Sequence, residues 1–222
     1  MPKSQYLDPK ECRKSGNIQF TDIPVNQYKK TIKEESKIYT KEDFMRIFRD
    51  MAIIREFETM LYSIKTTNHY NGVDYNNPGP AHLSTGQEAS AVGQAYILTR
   101  DDYIFGSHRS HGEILAKGLS CIEKLSDKEL TEVMEDFFDG AILRAVESDG
   151  KERKDVKQLA VEFLVYGALA EVFARTTGFN RGLGGSMHAF FTPFGIYPNN
   201  AIVGGSGTIS LGAALYKKVN EK

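Results

Sequence analysis

The residues that could do chemistry gather at two places. The first is the junction Tyr103-Ile104-Phe105-Gly106-Ser107-His108-Arg109-Ser110-His111-Gly112, where a short strand pattern runs straight into the start of a helix. α/β proteins place ligands and reacting groups at such strand ends. Arg109 there suits bidentate phosphate binding, because its planar fork matches two anionic oxygens. His82 precedes another helix start, and His188 lies in a glycine-rich stretch. Each histidine taken alone reads first as a hydrogen-bonded structural imidazole.

The second place is Gly178 to Gly212, with Gly-Phe-Asn-Arg-Gly-Leu-Gly-Gly-Ser-Met-His and then Ile202-Val203-Gly204-Gly205-Ser206-Gly207. Glycine is placed where backbone turns with positive φ or comes close to something else. Two such clusters, each followed by an apolar helix-like run, fit loops that offer backbone N–H groups to a ligand. They fit tight packing equally well. Several phosphate and nucleophile motifs are excluded. No Gly-Lys-Ser/Thr forms a P-loop, and no strand feeds a Gly-x-Gly-x-x-Gly turn. Ser186 and His188 are two residues apart without a nucleophile elbow, which argues against a Ser-His hydrolase.

The elements that must position these groups follow from periodicity. Residues 1–39 are polar and carry Pro2, Pro9 and Pro24, and read as an extended arm that wraps another surface or is partly disordered. Residues 40–222 read as the main domain. Phe44, Ile47, Phe48, Met51, Ile54, Phe57, Leu61 and Ile64 fall at helical steps, predicting a helix from about 41 to 65. Asn68 to Pro80 reads as a loop. Ser84 and Gln87 fit a capping box opening an alanine-rich helix to about Leu98. Residues 120–165 are rich in charge and predict two helices separated by Ser148-Asp149-Gly150, an insertion with a solvated outer face. An apolar helix follows over 159–175, and a last one ends in Lys217-Lys218.

Composition narrows the class. The chain of 222 residues carries 28 basic and 29 acidic side chains, a balance that favours neither a nucleic-acid nor a membrane partner. No run is apolar enough to span a bilayer, and no targeting pattern opens the chain, so the expected location is cytoplasmic. Cys12 and Cys121 stand far apart without metal-ligand spacing and read as reduced thiols.

Four motifs occur in one order: His82-Leu-Ser-x-Gly-Gln-Glu88, His108-Arg-x-His-Gly112, Gly184-Gly-Ser-Met-His188 and Ile202-Val-Gly204. Together with Arg55-Glu56-Phe57-Glu58 they resemble the alpha subunit of thiamine-diphosphate-dependent 2-oxo acid dehydrogenases, the decarboxylating component of pyruvate, acetoin and branched-chain dehydrogenase complexes. The resemblance covers about residues 41–120 and 166–216.

It implies an α/β fold, the N-terminal part of a thiamine-diphosphate-binding fold with a parallel sheet and flanking helices, helix-dominated here. It implies that Arg109 holds the diphosphate, and that Ile202, Val203 and Gly204 meet the aminopyrimidine ring. His82 and His111 match active-site histidines. His108 stands at a cofactor-binding position where the family has a tyrosine. The implied activity is oxidative decarboxylation of a 2-oxo acid with acyl transfer to lipoyl groups. The implied partners are a beta subunit or beta half, a lipoyl acyltransferase and further copies of the chain. The family's Gly-Asp-Gly metal segment would follow the helix that ends at Lys222. The chain is therefore expected to be the N-terminal piece of a longer enzyme, without ligands for Mg²⁺ and inactive alone. A non-catalytic assembly module that retained the fold is the other reading.

Overall fold

The computed structural model describes residues 8–17, 25 and 28–220. The chain divides into two units, Met1–Lys41 and Glu42–Lys222. In the first, a short 3₁₀ turn covers Glu11–Arg13, and α1 (Ile32–Glu35) makes a single helical turn. That turn starts with a capping box in which Thr31 and Glu34 bond each other's backbone N–H. Residues 28–39 are therefore not simply extended, as the polar composition had suggested. The remainder of the expected arm, 1–7, 18–24 and 26–27, lies outside the described residues.

The second unit is helix-rich. The long helix expected from about 41 to 65 is α2 (Lys41–Thr67), which buries Ile54, Phe57, Leu61 and Ile64 on one face. Phe48, counted on that face from spacing, is exposed instead. The stretch taken as a loop contains a hairpin of β1 (His69–Tyr70) and β2 (Val73–Asp74). Asn71 and Gly72 turn it with φ of 47° and 80°, the left-handed pair that a two-residue hairpin turn requires.

The next helix is α3 (Glu88–Ala95), shorter than expected, and the Ser84/Gln87 capping box does not form. The Ser84 hydroxyl accepts the backbone N–H of Gly112 instead, and only the Ser84 carbonyl meets Gln87. A distant donor has outcompeted the local one. Arg55 of α2 grips Glu88 through two bonds of 2.6 and 2.9 Å, holding that carboxyl down to about 2. This joins α2 to the start of α3.

The predicted strand is β3 (Ile104–Phe105), and it leads into α4 (His111–Lys124), a helix buried on nearly every face. β3 pairs in parallel with β4 (Ile196–Tyr197). Gly195 sets up this pair. A Cβ there would lie 2.3 Å from the Asp102 carbonyl oxygen, and its φ is 70°. Beneath it, fully buried Lys117 donates to the carbonyls of Thr99 and Phe194, tying together the turns that precede both strands. Parallel pairing thus exists among the described residues, although only as two-residue strands.

Residues 120–165 depart from the two-helix expectation. After α4 come α5 (Asp127–Asp136), a 3₁₀ turn over Phe137–Gly140, and α6 (Ala141–Glu147). Leu130, Met134, Ile142 and Val146 from this region are buried in the common core. The break at Ser148-Asp149-Gly150 is present, and α7 (Val156–Val172) follows it. Its Phe163 and Leu164 join Phe179 and Phe191 in that core, where the last two rings stack at 4.5 Å. The first glycine cluster is not followed by a helix. It leads to a 3₁₀ turn over Thr192–Phe194 and then β4, because Pro193 and the aromatic pattern favour a turn. The second cluster opens α8 (Gly205–Asn220).

Close packing of α4 on α7 sets a size limit at Gly118, where an added Cβ would lie 2.5 Å from the δ-methyls of Leu164. Alanine in an exposed helix position gains about 1 kcal/mol over glycine, whereas overpacking costs about 1–3 kcal/mol. Gly118→Ala is expected to lower unfolding stability in urea by about 1 kcal/mol. A stability gain would show that these helices are loosely packed.

Candidate active site

The site is assembled from four segments around buried carboxylates. Glu58, fully buried on α2, uses both oxygens: Oε2 accepts the N–H of Ser84 at 2.9 Å, and Oε1 lies 3.0 Å from Nδ1 of His111. His111 opens α4, also buried. Its Nε2 lies 3.0 Å from Oγ and 3.1 Å from the carbonyl oxygen of Ser186. The Glu58 carboxylate accepts from Nδ1–H, and Nε2 faces both oxygens of Ser186. The Ser186 hydroxyl oxygen accepts the backbone N–H of His82 at 3.1 Å. One chain of bonds therefore runs from α2 through α4 to the glycine loop and on to His82.

The loop is shaped from behind by Glu171, near the end of α7 and without solvent exposure. Its carboxylate accepts four backbone N–H groups, from Asn180 and Gly182 at 2.7 and 2.9 Å and from Gly184 and Gly185 at 2.6 and 3.1 Å. Close approach excludes side chains here. A Cβ on Gly178 would sit 2.5 Å from the Glu171 backbone, and one on Gly184 would sit 2.5 Å from the His188 carbonyl. The N–H groups of the first glycine cluster are thus used inside the protein.

His82 and His108 face each other edge to face, with ring centroids 5.7 Å apart. Both Nδ1 atoms are buried and have no hydrogen-bond partner. Loss of hydration, then the charge of Arg109, hold the His82 imidazole below its ordinary value. Arg109 is exposed and gives one N–H to the Leu83 carbonyl at 2.9 Å, which leaves the rest of its fork available.

Ile202, Val203 and Gly204 lie in an exposed turn just before α8, with Gly204 at φ 87°. Both flanks of that turn are fastened to the loop carrying His108 and Arg109. Asn199 donates to the Ser107 carbonyl at 3.0 Å and to the Ser110 hydroxyl at 2.6 Å. The Ser206 hydroxyl donates to the Gly106 carbonyl at 2.6 Å. The structure thereby brings together His82, His108 and Arg109, and ties the 202–204 turn to the same loop. His111 is adjacent but has neither nitrogen free. Among the described residues, no three His, Cys, Asp or Glu side chains form a metal-binding group.

Sequence reasoning set aside a Ser186–His188 pair, as the structure has it, but did not find the actual partner of Ser186, His111. His188 turns instead to the Asn199 carbonyl. It also missed Glu171, whose signal was a single acid within Phe163–Phe173 immediately before a glycine run.

Residues 59–142 match the dehydrogenase E1 component family. Over 192 residues the chain is 29% identical to the alpha subunit of acetoin:2,6-dichlorophenolindophenol oxidoreductase from Bacillus subtilis strain 168, covering 86% of this chain and 42% of that protein. It is 27% identical over 201 residues to the chloroplastic pyruvate dehydrogenase E1 component subunit alpha-3 of Arabidopsis thaliana, covering 88% and 35%. It is 26% identical over 211 residues to the mitochondrial pyruvate dehydrogenase E1 component subunit alpha of Dictyostelium discoideum, covering 94% and 41%. No solved structure matches. Similarity to E1 alpha subunits thus extends over most of the chain, in agreement with the resemblance carried by the four motifs. The chain spans about two fifths or less of these relatives' length, 42%, 35% and 41% respectively.

Two outcomes are expected. Glu171→Gln turns an amide donor toward backbone N–H groups and strands at least one of them, so stability should fall by about 2–4 kcal/mol in denaturant titration. An unchanged midpoint would show that the loop does not depend on the carboxylate. In proton NMR, the His82 ring should titrate below about 6.5, and Arg109→Ala should move it upward. Since the folded ring is harder to protonate than the unfolded one, its contribution to stability is present above about pH 6.5 and is lost as pH falls toward the folded value.

Proposed function

We propose that this chain is part of the alpha component of a 2-oxo acid dehydrogenase E1 enzyme, and that the cluster of His82, His108 and Arg109 with the 202–204 turn holds thiamine diphosphate. The observation that carries the reading is the pair of buried, unpartnered imidazole nitrogens beside an arginine with free donors. Such groups fit an anionic, hydrogen-bonding cofactor headgroup. Thiamine diphosphate supplies, when bound, an electron sink for loss of carbon dioxide from a 2-oxo acid.

The chain's own residues would bind and orient. Arg109 neutralises diphosphate charge through its remaining N–H groups. His108, in the position of the family's tyrosine, adds a ring nitrogen on the same side. The exposed turn of Ile202, Val203 and Gly204 offers the surface for the aminopyrimidine. His82, held neutral by its surroundings, can donate or accept a proton at the substrate side. His111, cast by the resemblance as an active-site histidine, acts in this proposal through Ser186, which it holds against the His82 backbone.

Mg²⁺ belongs to the same proposal, with ligands supplied outside the described groups. The proposed partners are a beta subunit or beta half, a lipoyl acyltransferase and a second copy of the chain. In support of a protein partner, α8 buries no residue while carrying Leu211, Leu215, Tyr216 and Val219 exposed. Among the described residues, no helix is long and apolar enough to cross a membrane. A cytoplasmic location is proposed on Cys12 and Cys121, both free thiols.

The test is the thiamine diphosphate dependence of pyruvate or acetoin oxidation by the chain assembled with its beta partner. Removing a charge-assisted pair costs about 1.5–3 kcal/mol, so Arg109→Ala should raise the cofactor concentration for half activity by about ten- to a hundredfold. An unchanged dependence would remove Arg109 from the site.

A further inference from the structure

A second cavity, of about 530 Å³, opens beside the glycine loop, and none of His82, His108 and Arg109 lines it. Its volume lies in the range of small-ligand sites. Its walls are the rings of Phe137, Phe138, Phe179 and Phe190, with Arg181 and His188 among the polar residues. Phe137 packs on Phe138 at 4.4 Å between centroids and meets Phe191 edge to face at 4.8 Å, so the aromatic wall is continuous with the core and held in place by it.

Two features of this wall go unused by packing alone. Phe138 and Asp139 occupy the left-handed region in succession, with φ of 52° and 53°, and Arg181 does so across the cavity at 56°. Side-chain-bearing residues avoid that conformation, and it is retained where the surrounding structure fixes a functional geometry. The second feature is Arg181 itself. Its guanidinium lies 4.6 Å from the centre of the Phe138 ring, and it forms no ion pair among the described residues. A guanidinium over an aromatic face still has its N–H fork, which lies in its own plane, available for a carboxylate.

We propose that this cavity binds a small organic carboxylate with a flat apolar body. The apolar part would lie against Phe138, Phe179 and Phe190, and the carboxylate would pair with Arg181. Aromatic walls favour a planar group through offset or edge contacts, and a single arginine at the edge selects one anionic head. The inference needs no cofactor and does not depend on the reading of the His82 cluster.

The experiment titrates the full chain with 3-phenylpropanoate and, separately, with 3-phenylpropanol, following backbone and arginine side-chain NMR signals. The acid is expected to shift the signals of Phe138, Arg181 and Phe190 and to bind at least about tenfold more tightly than the alcohol. Arg181→Met should remove that difference; the exposed position allows the variant to fold, and an unchanged thermal midpoint checks it. If the variant does not fold, the acid–alcohol comparison on the unaltered chain decides alone. Equal affinities would overturn the proposal. So would an absence of response to the acid below about 10 mM, or shifts centred on Arg109 rather than Arg181.

Discussion

The buried carboxylate of Glu171 is the constraint on which the candidate site depends. A carboxylate without water must find donors, and here it takes four backbone N–H groups from a turn of its own chain. That demand bends residues 180–185 into a curl with no room for a Cβ at 182 or 184, and Gly178 just before it lies against the Glu171 backbone. The N–H groups are spent on an internal anion, so the loop itself is not a phosphate cradle. Its contribution is to deliver Ser186, fixed in place, to the buried ring of His111.

From Ser186 the order propagates outward. Glu58, His111 and Ser186 form a connected buried network, and each member has its partners, the condition under which such networks rigidify a site. The network ends on the backbone N–H of His82 and leaves the His82 ring unbonded at Nδ1. A similar logic holds the other side, where Asn199 and Ser206 fasten the 202–204 turn to the segment from Gly106 to Ser110. Bonded groups thus surround a small set of buried atoms without a partner, Nδ1 of His82 and of His108 and Oδ1 of Asn199, and that set is where a ligand gains most.

Much of this order was legible in the sequence where the signal was local. The face of α2 from Ile54 to Ile64, the strand at Ile104 and the junction at His108–His111 all follow from periodicity and adjacency. Legibility failed where distant groups compete with local ones. Ser84 looked like a helix cap and instead serves Gly112, while Ser186, set aside as a partner of His188, serves His111 from far along the chain. The charge of residues 120–165 suggested a solvated outer face, and positions four apart carry Leu130, Met134, Ile142 and Val146 from the inner face into the core. Glu171 was overlooked because one acid within the apolar stretch Phe163–Phe173 carries no spacing pattern. Its meaning comes only from the glycines that wrap it.

The most direct test of the central idea, that His82, His108 and Arg109 form one anion site, is a ¹⁵N NMR titration of the imidazole nitrogens with inorganic pyrophosphate. Nδ1 of both His82 and His108 should shift together along one saturating curve, while the exposed His69 ring follows only the weak response of a surface histidine. A saturating curve that leaves both Nδ1 signals in place, or moves His69 as much as His82, would contradict the account.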